Sequence, residues 1–272
     1  MVKCFSFTAT RDSCFPYSFS NVSLRSSTTV LGDGTVMHVW VLKSHSQSKP
    51  TLALIHGFGV NAMWQWNDFV SPIISRFKVY VPDLLFFSGS YTTRPERSEQ
   101  FQARCVIRVM EALGVVTAMN VVGISYGGFV DKDIEEGMFK VENVDEAVDI
   151  LLAQKPDKLR ELMKISFHKP TQRLPSCFLK DFIHVMCTEH YEERKELILV
   201  LHKDKIFRSS KHNPASGDYL GRTRPDIPFG VGIQIEKASG RECRTSDHKE
   251  CRACRQCRET QRATQAFDIR PY

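Results

Sequence analysis

Apolar positions along the chain follow two periods, and the change from one to the other divides it. Between residues 30 and 130, short apolar runs alternate with stretches of helical spacing. Residues 35–41 alternate as a half-buried strand behind the turn signal Gly32-Asp33-Gly34, which predicts a hairpin. Thr51-Leu52-Ala53-Leu54-Ile55 is a continuous apolar run, the kind buried on both faces of a parallel sheet. Residues 64–74 have helical spacing, and 78–81 read as a strand that stops at Pro82-Asp83. In 100–113, Phe101, Val106, Val109, Met110 and Leu113 fall roughly on one helical face, and Gly114 stands where a C-terminal cap belongs. Residues 119–122 form another buried strand. This alternation predicts a parallel sheet with helices on both faces.

From Asp131 the pattern becomes almost wholly helical, with amphipathic stretches at 144–152, 158–167, 175–187 and 191–201 and no strand between them. After Lys205 the chain turns to Arg, Gly, Pro, Ser and Cys without period, a composition that predicts disorder. Residues 1–28 show no period either and read as a flexible extension. The predicted organisation is therefore an extension (1–28), the front half of an α/β core (29–130), a helical segment (131–205) and a disordered tail (206–272).

Composition narrows the class. Hydrophobic residues make up 42% and charged residues 25%, as in soluble globular proteins. No apolar run approaches the ~20 residues that a membrane helix needs. The Ser-rich N-terminus has no continuous apolar core, which predicts a cytoplasmic protein, with plastid import as the alternative. The net charge of +6 invites a nucleic-acid reading, but residues 206–272 hold 13 Lys and Arg against 8 Asp and Glu. A basic balance confined to a tail predicts no nucleic-acid partner for the globular part.

One motif carries chemistry. Gly123-Ile124-Ser125-Tyr126-Gly127 directly follows a buried strand. Gly-x-Ser-x-Gly in that place is a nucleophile elbow: the strand turns sharply into a helix, a strained serine sits at the apex, and glycines on either side let the backbones pass. His56-Gly57-Phe58-Gly59 follows the 51–55 strand. The amides of Phe58 and Tyr126 are then candidates for binding the oxyanion of a tetrahedral intermediate, with Gly57, Gly123 and Gly127 as the loop glycines. His56 reads as a structural hydrogen-bonding residue and Asp83 as a loop organiser.

These segments, with Trp64-Gln65-Trp66, Val81-Pro82-Asp83-Leu84, Ser88-Gly89-Ser90 and Gly128, resemble the α/β-hydrolase superfamily over about residues 1–205. The nearest set is the plant esterase/lipase-like branch, often labelled epoxide-hydrolase-like or monoacylglycerol-lipase-like. The resemblance implies an α/β-hydrolase fold with a helical cap at 131–205 and Ser125 as the nucleophile. It implies no metal or other cofactor. Epoxide hydrolases carry Asp at the nucleophile position, so Ser125 favours acyl transfer on a small-molecule or lipid ester.

The chain departs from that family twice. Val130 runs at once into Asp131-Lys132-Asp133, where the family continues the elbow helix and adds a strand, so the core is expected to be incomplete. In the tail, residues 220–232 and 249–260, back-translated and read one base later, permit W-G-E-H-D-Q-I-F-P-L-E-L and K-N-A-G-H-A-G-N-A-E-K. These look like the family's segments bearing the triad acid and histidine. Residues 209–219 shift in the same frame, as one extra base near Lys205-Ile206-Phe207 would produce. Cys251-x-x-Cys254-x-x-Cys257, with Cys243 upstream, has metal-like spacing, but the same shift derives the three cysteines of the 251–257 run from out-of-frame alanine codons. Arginines between them also oppose a cation, so no metal site is expected. Asp226, Asp247 and His248 are poor triad substitutes, and no triad acid or histidine is identifiable. Two readings follow: a serine ester hydrolase inactive in this form, or a non-catalytic remnant that only binds. Epoxide hydrolysis is a third.

Overall fold

The computed structural model describes residues 6–44, 49–115, 119–128, 143–166 and 174–209, with the backbone alone for Gly128 and 203–209. All belong to the unit Met1–Ala238.

The described strands pair into one sheet. β1 (Leu24–Val30) and β2 (Thr35–Leu42) form the hairpin that the Gly-Asp-Gly turn predicts, and β2 also pairs antiparallel with β4 (Lys78–Pro82). β3 (Thr51–Ile55) lies parallel between β4 and β6 (Met119–Gly123). All five residues of β3 are buried, which is why its sequence shows no alternation. A two-residue strand, β5 (Tyr91–Thr92), pairs with the start of β2 and carries no sequence signature.

Two helices flank these strands. α2 (Ala62–Ile74) is capped by the Asn61 side chain, which accepts from the Trp64 amide, and α3 (Glu99–Ala112) by Ser98, which accepts from Phe101. Gly114, at φ 79°, follows α3 in the left-handed conformation that favours glycine.

The remaining helices are α4 (Val144–Leu151), α5 (Pro156–Ser166), α6 (Ser176–Met186) and α7 (Tyr191–Ser209). Val148, Leu197 and Ile198 join the core of Val39, Ala53, Tyr80 and Val109. Leu159, Leu179 and Ile183 form a second cluster, against which Val60, Trp64 and Leu162 pack.

Two expected boundaries move. Residues 1–28 are not a featureless extension: α1 (Phe7–Asn21) precedes β1 and is docked. The Ser6 side chain caps it by accepting from Ala9, and Asp181 Oδ2 accepts from the Thr8 amide at 2.8 Å. Phe15 meets Trp64 edge-on at 5.0 Å, and Phe19 packs on Trp40 at 5.1 Å. Only Thr8, Phe15 and Phe19 are buried, and Pro16 interrupts the run, so the helical period is hidden among Ser, Thr and Tyr. At the other end, α7 continues to Ser209, past the expected boundary at 205. The departure at 131–133 and the tail from 210 onward lie outside the described residues.

Candidate active site

The site is built where β3 and β6 end side by side. Ile55 pairs in register with Gly123, and the Ile124 amide then donates to the Ile55 carbonyl at 3.2 Å. There the chain stops being a strand. Ser125 opens a 3-10 turn (Ser125–Gly128) with φ 53°, in the left-handed region. Holding a non-glycine residue there costs about 1–2 kcal/mol and needs support from its surroundings.

The glycines supply that support. A Cβ on Gly127 would stand 2.5 Å from the His56 carbonyl oxygen and 2.7 Å from Ile55 Cγ2. A Cβ on Gly57 would stand 3.1 Å from the Ile124 carbonyl oxygen and 3.3 Å from Ser125 Cβ. The loop after β3 therefore lies directly on the turn after β6, with Gly123 buried at the strand end. Phe58 is buried with its ring edge-on to Tyr126 at 5.4 Å and to Phe87 at 5.5 Å. Burial pushes the Tyr126 phenol well above its usual range, opposed by a side-chain hydrogen bond with Gln102. Gln102 Oε1 accepts in turn from the Leu85 amide, tying α3 to the loop after β4.

His56 is fully buried. Its Nδ1 donates to the Gly57 carbonyl at 2.7 Å, and its Nε2 accepts from the Leu84 amide at 2.9 Å. A carbonyl only accepts and an amide N–H only donates, so the tautomer follows. Burial holds the imidazole below its ordinary pKa, with the Asp83 carboxylate opposing it, so His56 is neutral and both nitrogens are occupied. Asp83 accepts from the Ala62 amide through Oδ1 and from His38 Nδ1 through Oδ2. It ties the loop after β4 to the first residue of α2 and to β2.

One participant carried no sequence signal. Arg194 on α7 is buried; its Nε donates to the Phe86 carbonyl and its Nη1 to the Met186 carbonyl, both at 2.7 Å. The guanidinium lies 4.2 Å over Phe87, whose ring meets His56 and Phe58 edge-on. Burial lowers its pKa, and a cation placed this way fixes α7 to the loop beneath it.

The structure thus brings together Ser125, Gly57, Phe58, Gly123, Tyr126 and Gly127. Among the described residues, no histidine is hydrogen-bonded to Ser125: His38 serves Ser26 and Asp83, His56 serves Gly57 and Leu84, and His190 faces Glu193. Asp226, Asp247, His248 and the tail cysteines lie outside the described residues. Among the described residues, no group of His, Cys, Asp and Glu is arranged to hold a metal, and no helix is long and apolar enough to cross a membrane.

No protein-family model matches the sequence, and no curated protein matches it. Solved structures do match its fold. A candidate lipase from Acinetobacter baumannii aligns at TM-score 0.56 and 19% identity, over 73% of this chain and 72% of that one. A membrane phospholipase A, a bacterial virulence factor, aligns at 0.52 and 19%, over 74% and 68%. The 2-hydroxy-6-oxo-6-phenylhexa-2,4-dienoate hydrolase of Rhodococcus sp. strain RHA1 aligns at 0.51 and 16%, over 68% and 74%. With the parallel β4-β3-β6 core and the turn at Ser125, these likenesses establish that the chain has the α/β-hydrolase fold.

Proposed function

We propose that this chain is a serine hydrolase for carboxylic esters, lipid esters among them, that lacks its proton-transfer partners in this form. The observation that carries the reading is Ser125 at φ 53°, held at the end of β6 against Gly57. A serine in that strained position presents its hydroxyl beyond the sheet edge. Ser125 Oγ is the nucleophile, and the amides of Phe58 and Tyr126 hold the developing oxyanion. Helices α4 to α7 serve as the cap. The names of the lipase and the phospholipase with similar folds support an ester, and serine in place of aspartate at the elbow argues against epoxide opening.

The second reading, a non-catalytic remnant, is favoured by a different observation: no histidine among the described residues bonds to Ser125. Without a base the hydroxyl stays protonated, and losing triad function costs about 10⁴–10⁶ in kcat. The two readings are reconciled if residues 206–272 are out of frame and a segment after Val130 is missing.

The test is p-nitrophenyl ester hydrolysis by the 272-residue chain beside one with the tail frame and the missing segment restored. The restored chain is expected to turn over at least ~10³-fold faster, and Ser125→Ala should abolish the gain. No gain on restoration would overturn the hydrolase reading. Equal, Ser125-dependent rates in both chains would show that this chain supplies its own base.

A further inference from the structure

Away from the elbow, three side chains, from β1, from β2 and from the residue after β4, stand in line. Ser26 Oγ lies 2.8 Å from His38 Nε2, and His38 Nδ1 lies 2.7 Å from Asp83 Oδ2. We infer that Ser26, His38 and Asp83 form a second nucleophilic site, in which Ser26 is covalently modified by activated acyl and phosphonyl esters. None of the three belongs to the candidate elbow site, and the inference does not rest on Ser125.

The register places them. Thr28 pairs with His38 and Ser26 with Trp40, so Ser26 is the diagonal neighbour of His38 on one face of the hairpin. The base is held on every side. The His38 amide donates to Ser90 Oγ, Ser90 Oγ donates to the Asp83 carbonyl, and the Asp83 amide donates to the His38 carbonyl. The His38 ring meets Trp40 edge-on at 5.5 Å. The Asp83 side chain is 1% exposed, that of His38 13%, and Ser26 is open to solvent. A buried carboxylate orients a shielded imidazole, which stands beside an exposed hydroxyl as its general base.

The chemistry follows from donor and acceptor roles. An ionised carboxylate only accepts, so in the neutral imidazole the proton sits on Nδ1 and Nε2 is bare. Nε2 then accepts the Ser26 hydroxyl proton as Oγ attacks. With a fluorophosphonate, an Oγ–P bond forms and the P–F bond breaks. Fluoride leaves, the proton passes through His38 to solvent, and nothing is oxidised or reduced. The hairpin also offers amides to the oxyanion. Leu31 N–H to Thr35 O and Lys43 N–H to Ser23 O set the ladder phase, so Ser26 and Thr28 turn their amides away from β2. An edge of this kind is less preorganised than a dedicated oxyanion hole, which is worth about 10²–10³ in rate. Reactivity is therefore expected toward activated electrophiles as a stoichiometric adduct.

The experiment treats the full-length Ser125→Ala chain with a fluorophosphonate probe and maps adducts by tandem mass spectrometry. Trypsin separates the sites: Ser26 falls in peptide 26–43 and position 125 in peptide 109–132. The adduct is expected at Ser26 rather than Ser27, forming at least ~10-fold faster than in the same chain with His38→Gln, since general-base assistance is worth ~10²–10⁴. Because H38Q could unfold the hairpin, the same comparison is made in the unsubstituted-His38 chain in denaturing urea, where Ser26 should lose its advantage over Ser27. Equal labelling of Ser26 and Ser27 in the folded chain, or a Ser26 rate unchanged in urea, would overturn the inference.

Discussion

Gly127 lies so close to the end of β3 that a Cβ on it would stand 2.5 Å from the His56 carbonyl oxygen. The atoms on that side are backbone and the Ile55 side chain, which cannot swing away. Gly127→Ala is therefore expected to destabilise the fold by about 1–3 kcal/mol, the usual cost of overpacking. Urea unfolding measures it, and an unchanged midpoint would show that the two backbones separate freely.

Strain at Ser125 has the opposite sign when it is released. Ser125→Gly and Ser125→Ala both remove the hydroxyl, but only glycine accepts φ 53° without steric cost. The glycine variant is expected to be more stable than the alanine variant by about 1 kcal/mol. If the two unfold together, the left-handed turn stores no strain.

His56 ties stability to pH. Its folded-state pKa is depressed by burial from the ordinary 6.5, so below that pH the unfolded chain takes up a proton that the folded chain refuses. The stability contributed is fully present above about pH 6.5 and is lost as pH falls toward the folded pKa. The slope approaches about 1.4 kcal/mol per pH unit. Urea midpoints at pH 7 and pH 5 should fall more steeply for the native chain than for His56→Gln; parallel behaviour would contradict the buried neutral imidazole.

Arg194 donates to two carbonyls from one planar group, which lysine cannot reproduce. Arg194→Met keeps an apolar contact over Phe87 but leaves the Phe86 and Met186 carbonyls unpaired, at about 1–3 kcal/mol for each group that stays buried. Arg194→Met and Arg194→Lys are both expected to lower the thermal midpoint. A methionine variant as stable as the native chain would mean that packing alone holds α7 down.

What the sequence revealed depends on where each signal is stored. β3 announced itself because a strand covered on both faces must be apolar throughout, and the turn at Ser125 because only glycine fits at 127. α1 stayed hidden because Phe15 and Phe19 are seven and eleven residues from Thr8, with polar residues and Pro16 between them. Arg194 stayed hidden for another reason: its partners are main-chain carbonyls, which leave no mark on side-chain pattern. The Ser26-His38-Asp83 line joins two strands and the residue after a third and depends on register, which no local reading supplies.

The docking of α1 sets a timetable for synthesis. Thr8 and Asp181 are 173 residues apart, yet the second accepts the first turn's amide from the first. At roughly 5–20 residues per second, about 10–35 s pass between the ribosome's release of one partner and the other. Through that interval α1 waits with its Thr8 amide short of Asp181 and its Phe7 ring short of Phe178. A helix made early is thus among the last elements to be secured.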